Sequence, residues 1–231
     1  MIDVSAFRRV ALFSELEPAE LDALSRVASL RSHAAGAPII RAAEQGDLFF
    51  VILRGEVKVF VDSPDGREVV LSHLQAGDFF GEMALFGGDG RSASVTALTD
   101  CEIVAIARQD LLAVLARDFS LTQKILQTLC VRLRKANEVI ESMALLDVGG
   151  RLARYLLRLA DESGQPPVDG YYVVNRPTHQ EIANSIGATR ETVTRMLRQF
   201  ETRKLIRTKG QLVWVPSEVP AGARENEWRR R

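Results

Sequence analysis

PTHQEIANSIGATRETVTRMLRQFETRKLI, residues 177–206, is the stretch on which the reading of this chain turns. Thr178, followed three residues later by Glu181, is a capping box, which opens a helix by satisfying two orphan amides. Ile182 and Ile186 mark an inward face, and Gly187 supplies a stop. Thr189 then caps a second helix, in which Val193, Leu197 and Phe200 repeat at helical spacing. Two helices across so short a turn make a helix-turn-helix. Downstream, RKLIRTKGQLVWV (203–215) predicts a hairpin wing with its tip at Lys209-Gly210.

The second helix opens with charge. Arg190, Glu191 and Arg195 occupy its first two turns and project from the face opposite the apolar stripe. Residues at the start of such a helix are the ones that enter the major groove of DNA. An arginine can bond O6 and N7 of guanine, and a glutamate can accept from N4 of cytosine. Thr178, Thr189 and Thr192 offer hydroxyls to phosphates. Basic residues outnumber acidic ones by eight to three over residues 176–210, whereas acids outnumber bases over 1–110. A basic back end on a chain of zero formal charge is the footprint of a polyanion. The competing readings of this face are a solvated surface with ordinary salt bridges, or a winged helix used for protein contact.

Upstream, residues 119–146 contain neither glycine nor proline. Leu126, Leu129, Leu133, Ala136, Ile140 and Met143 alternate at spacings of three and four, which is a coiled-coil seam. The helix would run roughly 40 Å, and its stripe asks for a second copy of the chain. The other partner for that stripe is the chain's own N-terminal domain. Asp147 to Gly150 breaks the pattern; RLARYLLRLAD is then a further amphipathic helix, ESGQPPVDG a loop and YYVV a strand.

Between about residues 33 and 107 the texture is β. DLFFVILRG, EVKVFVD, REVVLSHL, SASVTAL and CEIVAIA are short strand-like runs separated by Gly46-Asp47, Arg54-Gly55, Asp65-Gly66 and Gly77-Asp78. Asp65-Gly66 is the clearest hairpin tip. LEPAELDALSRVA (16–28) ahead of them reads as a helix with Leu21, Leu24 and Val27 inward. The expected class is α+β: an N-terminal β-roll of jelly-roll type over 1–118, a long dimerisation helix over 119–146, a winged helix-turn-helix over 147–217, and a disordered tail over 218–231.

Several functions are disfavoured. Cys101 and Cys130 lack the spacing of a disulfide framework or zinc ribbon, and both read as buried thiols. No signal peptide or membrane-length apolar run is present, so the cytoplasm is the expected compartment and no membrane partner is expected. No nucleophile–base grouping or metal motif appears, and GEMALFGGDGR lacks the G-K-[ST] ending of a phosphate-transfer loop. An enzyme is not expected.

Four segments together resemble one family. They are ILRGEVKVF (52–60), FGEMALFGGDGRSASV (80–95), ALLDVGGRLARYLL (144–157) and QEIANSIGATRETVTRML (180–197). They are similar to the cyclic-AMP receptor protein and fumarate-nitrate-reduction regulator (Crp-Fnr) family of bacterial transcription factors, from about Phe13 to Val215. The resemblance implies that the second segment cradles a cyclic nucleotide, cyclic AMP first. Glu82 matches the acid on the ribose 2′-hydroxyl and Arg91 the arginine on the cyclic phosphate. Gly81, Met83, Ser92 and Ala93 complete the cradle. An anionic phosphate in a partly dry pocket calls for a forked cation, and a sugar hydroxyl for an acceptor.

The chain departs from the pattern at Ala136 and Asn137, which match a Thr-Ser pair contacting adenine across the dimer. Asn137 is left as the candidate base reader, so base identity is open among cyclic AMP, cyclic GMP, a cyclic dinucleotide and no effector. Arg190, Glu191 and Arg195 match the family's readers of a TGTGA-like half-site, which implies a homodimer on palindromic DNA and contact with RNA polymerase. No cysteine precedes Cys101, so an iron–sulfur cluster is not expected; nor is a haem on the lone His73, which reads as an ordinary β-roll residue.

Overall fold

The computed structural model describes residues 7–8, 10–64, 68–88, 90–163 and 165–218. The expected tail, apart from Glu218, therefore lies outside the described residues. The chain forms two compact units, Met1–Arg132 and Leu133–Arg231.

In the first unit a 3-10 turn (Ala11–Phe13) leads into α1 (Pro18–Val27). Pro18 stands in its first turn, and Glu17 and Glu20 cap one another's backbone amides. Leu21 and Leu24 are buried as expected, but Val27 is exposed and Ser25 takes the inward place. Eight strands follow: β1 (Ser29–His33), β2 (Pro38–Ile40), β3 (Leu48–Arg54), β4 (Glu56–Asp62), β5 (Glu68–Gln75), β6 (Phe79–Phe80), β7 (Ser94–Ala97) and β8 (Cys101–Ala107). They make two four-stranded antiparallel sheets, ordered β1-β8-β3-β6 and β2-β7-β4-β5. The Asp65-Gly66 tip lies outside the described residues; the strands beside it pair, with Asp62 opposite Glu68. Gly55 marks the crossing from one sheet to the other.

The unbroken apolar run of β3 has a simple cause: both faces of the strand are covered. Phe49 and Val51 join a core with Phe7, Phe13, Leu21 and Leu24, whereas Phe50 and Ile52 point between the sheets at Val57, Val95 and Ile103. β8 divides its residues the same way, Val104 and Ile106 to one side and Ile103 and Ala105 to the other. Cys101 is buried, but Cys130 is exposed, against expectation, because its helix turns that face to solvent.

α2 (Glu82–Gly87) follows β6, and α3 (Arg108–Leu115) buries Leu111. α4 (Phe119–Leu145) is the long helix. Its first turns belong to the first unit, where Leu121 and Ile125 are buried with Phe7 and Phe13. The compact unit runs to Arg132 and so takes in the start of the long helix. Of the expected seam, Leu126, Leu133, Ala136, Ile140 and Met143 are exposed, and Leu129 is partly buried against the first unit's core.

In the second unit, Asp147 caps α5 (Val148–Glu162), its side chain accepting from the Gly150 amide at 2.9 Å. The break with α4 is only Leu146 and Asp147; Gly149 and Gly150 lie inside the new helix. β9 (Tyr171–Asn175), α6 (His179–Ile186), α7 (Arg190–Thr202), β10 (Arg207–Lys209) and β11 (Leu212–Pro216) complete it. The expected inward residues Ile182, Ile186, Val193, Leu197 and Phe200 are all buried, around Leu152 and Leu156 of α5. The wing is a three-stranded antiparallel sheet, ordered β10-β11-β9. No helix among the described residues is long and apolar enough to cross a membrane.

Candidate functional site

The first unit holds a buried cation and a buried acid in the stretch that joins β6 to β7. Arg91 is 8% exposed and Glu82 is 7% exposed. They are not an ion pair. Arg91 Nη1 donates to the Gly81 carbonyl at 3.1 Å, and Nη2 donates to the Leu48 carbonyl at 2.8 Å. Its guanidinium also lies 5.6 Å from the Phe50 ring centroid. Burial pushes the Arg91 pKa below its ordinary value, and Asp47, Glu82 and Glu44 oppose that shift from beyond contact. A desolvated guanidinium held by neutral carbonyls is electrostatically incomplete; an anion completes it.

The space around Arg91 is cut to fit. A Cβ on Gly46 would sit 2.1 Å from Arg91 Nε, and one on Gly81 would sit 2.7 Å from Nη1. Gly81 also has φ +88°, where a side chain is strained. The backbone anchors the arginine from both sides: its amide donates to the Glu44 carbonyl at 2.9 Å, and its own carbonyl accepts from the Ala43 amide at 2.8 Å.

Glu82 is held from a place the sequence reading missed. Arg132 of α4 donates from Nη1 to Glu82 Oε1 at 3.2 Å and from Nη2 to the Phe79 carbonyl. Its guanidinium is 4.6 Å from the Phe79 ring centroid. The remaining cradle candidates lie close in sequence with different exposure. Met83 and Ser92 are exposed, with Ser92 Oγ donating to Met83 Sδ at 3.3 Å, while Ala93 is buried. Asn137 is exposed on α4, in the second unit. The donor set near Arg91, a forked cation with a glycine-lined approach and a carboxylate, fits a phosphate joined to a sugar.

In the second unit the predicted readers share one surface. Arg190, Glu191 and Arg195 are exposed, and they line a concavity with Thr194 and Arg198. Arg198 was not anticipated; it sits one turn beyond Thr194 on the same face. Thr189 accepts from the Thr192 amide at 3.2 Å, and their hydroxyls are 3.0 Å apart. Thr178 is spent on the capping box, its hydroxyl donating to Glu181 Oε2 at 2.8 Å and accepting from the Glu181 amide at 3.2 Å. His179 is partly buried, with Nδ1 2.7 Å from Thr194 Oγ1.

Comparison with known proteins matches both halves. Residues 30–118 fit the model of the cyclic nucleotide-binding domain, and residues 150–217 that of the Crp-like helix-turn-helix domain. A CRP-like cAMP-activated global transcriptional regulator of Mycobacterium tuberculosis is 32% identical over 207 residues, 90% of this chain and 92% of that protein. The cAMP-activated global transcriptional regulator Vfr of Pseudomonas aeruginosa is 34% identical over 200 residues, 84% of this chain and 92% of its own length. Among solved structures, the Thermus thermophilus catabolite activator protein is 31% identical with a TM-score of 0.52, covering 89% of this chain and 93% of that one. The c-di-GMP responsive regulator CLP of Xanthomonas campestris, with a TM-score of 0.73 at 24% identity over 87% of this chain and 99% of that one, shares the fold. With a cyclic-nucleotide-binding domain ahead of a Crp-like helix-turn-helix, the chain belongs to the Crp-Fnr family of transcription regulators.

Proposed function

We propose that the protein is a ligand-gated, sequence-specific regulator that binds a cyclic nucleotide in the β-roll and a TGTGA-like palindrome as a homodimer. The observation that carries the nucleotide reading is Arg91: buried, held by two carbonyls, and without a carboxylate in contact. Arg91 would take the cyclic phosphate, Glu82 the ribose hydroxyl, and Gly81, Met83, Ser92 and Ala93 the rest of the cradle. Cyclic AMP is the first ligand, supported by the relatives described as cAMP-activated. Asn137 is the proposed base reader. Alanine at 136 removes a side-chain donor, so discrimination between purines should be weak; cyclic GMP and a cyclic dinucleotide come next.

Arg190, Glu191 and Arg195 are the proposed base-edge contacts, with Thr189 and Thr192 on phosphates. The exposed stripe Leu126–Leu133–Ala136–Ile140–Met143, with Leu129, is the proposed dimer seam, and it would present two heads to a palindrome. RNA polymerase is the further partner proposed, on family resemblance alone. Ligand and DNA are coupled only if the nucleotide binds the DNA-competent form more tightly.

Calorimetry with cyclic AMP, cyclic GMP and a cyclic dinucleotide, followed by operator titration with and without each, tests this reading. Arg91→Ala should lower nucleotide affinity by at least about a hundredfold, the scale of a lost charge-assisted contact. Operator binding should persist in that variant only as far as the free protein is already active. Absence of heat and of any operator shift with all three ligands would instead favour a regulator that works without a nucleotide.

A further inference from the structure

The second unit holds a cavity of about 240 Å³ that neither the proposed nucleotide cradle nor the α7 face uses. The last turns of α4 and the inner face of α5 wall it, and Ile186 at the end of α6 borders it. Every residue around it belongs to the second unit. Two contacts show that α4 and α5 run antiparallel along it: Lys135 Nζ lies 3.4 Å from Glu162 Oε1, and Arg154 Nη1 donates to Ser142 Oγ at 3.0 Å. The floor is apolar, with Tyr155, Leu157 and Ile186 buried and Val139 beside them. Of the α4 residues on the wall, Met143 alone is shared with the proposed seam. Glu138 lies across α4 from Leu133, Ala136 and Ile140, so a partner on that seam leaves it uncovered.

Most charges on the wall are already committed. Arg151 donates to the carbonyls of Leu146 at 3.2 Å and Ile186 at 2.9 Å. Lys135 faces Glu162, and Arg154 faces Glu141 at 3.9 Å. Asp161 has an interaction partner of its own. Two groups stand apart. Among the described residues the Arg158 guanidinium has no hydrogen bond or ion pair; it lies 5.3 Å from the centroid of the Tyr155 ring. The Glu138 carboxylate has no hydrogen bond or ion pair among the described residues either, although both groups line the same cavity. One is on α5 and the other on α4. A cation and an anion, unpaired, on opposite walls of an apolar floor match a zwitterion with an apolar tail.

We propose that this cavity is a binding site for a free α-amino acid with an apolar side chain. Arg158 donates to its carboxylate, Glu138 accepts from its ammonium, and the side chain rests on Val139, Leu157 and Ile186. Size agrees with this. Sites for drug-sized ligands measure about 300–1,000 Å³, and this cavity falls just below that range. Charge agrees as well. A nucleotide phosphate would meet one uncommitted cation and, opposite it, a carboxylate. A plain carboxylic acid or amine would leave one of the two groups unanswered. Bound, the amino acid bridges α4 to α5, the helix around which Ile182, Val193 and Leu197 pack. The site is separate from the proposed nucleotide cradle, since Glu82 and Arg91 belong to the first unit.

Calorimetry on the full-length protein, without DNA or nucleotide, tests this with L-leucine and L-phenylalanine. The controls are isopentylamine and isocaproate, which keep the leucine side chain but lack the carboxylate or the ammonium. At least one amino acid should bind, and each control should bind at least about tenfold more weakly than leucine, the scale of a lost hydrogen bond to a charged group. Arg158→Gln and Glu138→Gln should each weaken the amino acid by a similar factor. Arg158→Lys, which keeps the charge, should lose less than Arg158→Gln. Arg158 and Glu138 are exposed, so the melting curves of these variants should stay close to that of the wild type. Arg158→Gln should also leave the heat of cyclic AMP binding as it is in the wild type, which separates this site from the nucleotide reading. No heat from either amino acid at millimolar concentration, equal binding of the controls, or full affinity in either glutamine variant overturns the proposal, whatever cyclic AMP does.

Discussion

Arg132 reaches Glu82 across 50 residues of sequence, its Nη1 donating to Oε1 at 3.2 Å, so the acid of the proposed nucleotide cradle is held from the long helix. Glu82 is buried, and a buried carboxylate stripped of its partner is costly. Arg132→Ala should destabilise the first unit by about 1–3 kcal/mol, the scale of an unsatisfied buried group. Adding Glu82→Gln should recover part of that loss, because a neutral amide strands no charge. A double-mutant cycle by chemical denaturation checks this; simple additivity would mean the contact contributes nothing.

Gly46 should separate folding from ligand binding. The Cβ of Gly46→Ala would collide with Arg91 Nε, Cζ and Nη2, all at the far end of a flexible side chain. The guanidinium can swing away, so the thermal midpoint should change little. Once displaced it no longer bridges the carbonyls of Gly81 and Leu48. Nucleotide affinity should then fall by at least about tenfold, in proportion to one weakened charge-assisted bond. Calorimetry beside a melting curve reads both; unchanged affinity would place the phosphate elsewhere.

Leu133 is 62% exposed in the isolated chain, as is expected of a residue waiting for a partner. Leu133→Glu would set two carboxylates against each other across the proposed seam. Sedimentation should show monomers at micromolar concentration, with affinity for the palindrome much reduced. A variant that remains dimeric would put the seam on another surface.

Glu191 is exposed on the concave face of α7. If it accepts from a cytosine amino group, Glu191→Ala should relax preference at that one base pair by about 1–3 kcal/mol and leave the others alone. Titrations against single-base operator variants make the measurement. Equal discrimination at every position would remove Glu191 from the base-reading set.

The helices were legible because their signals are local. Capping pairs and stripes such as Thr178–Glu181 and Val193–Leu197–Phe200 are complete within a few turns, and the buried faces follow them. β3 was legible as a strand because both its faces are covered, which leaves an unbroken apolar run. β1 was not, since SLRSH is an edge strand almost wholly exposed, and β6 is only two residues long. In the site, Glu82 and Arg91 share one stretch of chain. Arg132 looks like any solvated helix charge until the fold sets it beside Glu82. His179 likewise meets Thr194, 15 residues on, and no spacing rule announces that pair.

The first turns of α4 have a practical consequence for anyone expressing this chain in pieces. Leu121 and Ile125 are part of the same core as Phe7 and Phe13. A fragment ending at residue 118 would therefore open a greasy trough along the β-roll and lose Arg132 as well. Such a fragment should be insoluble or sticky, and a weak nucleotide binder for reasons unrelated to its pocket. A fragment that reaches at least Arg132 should instead stay soluble, which expression of the two lengths side by side would check.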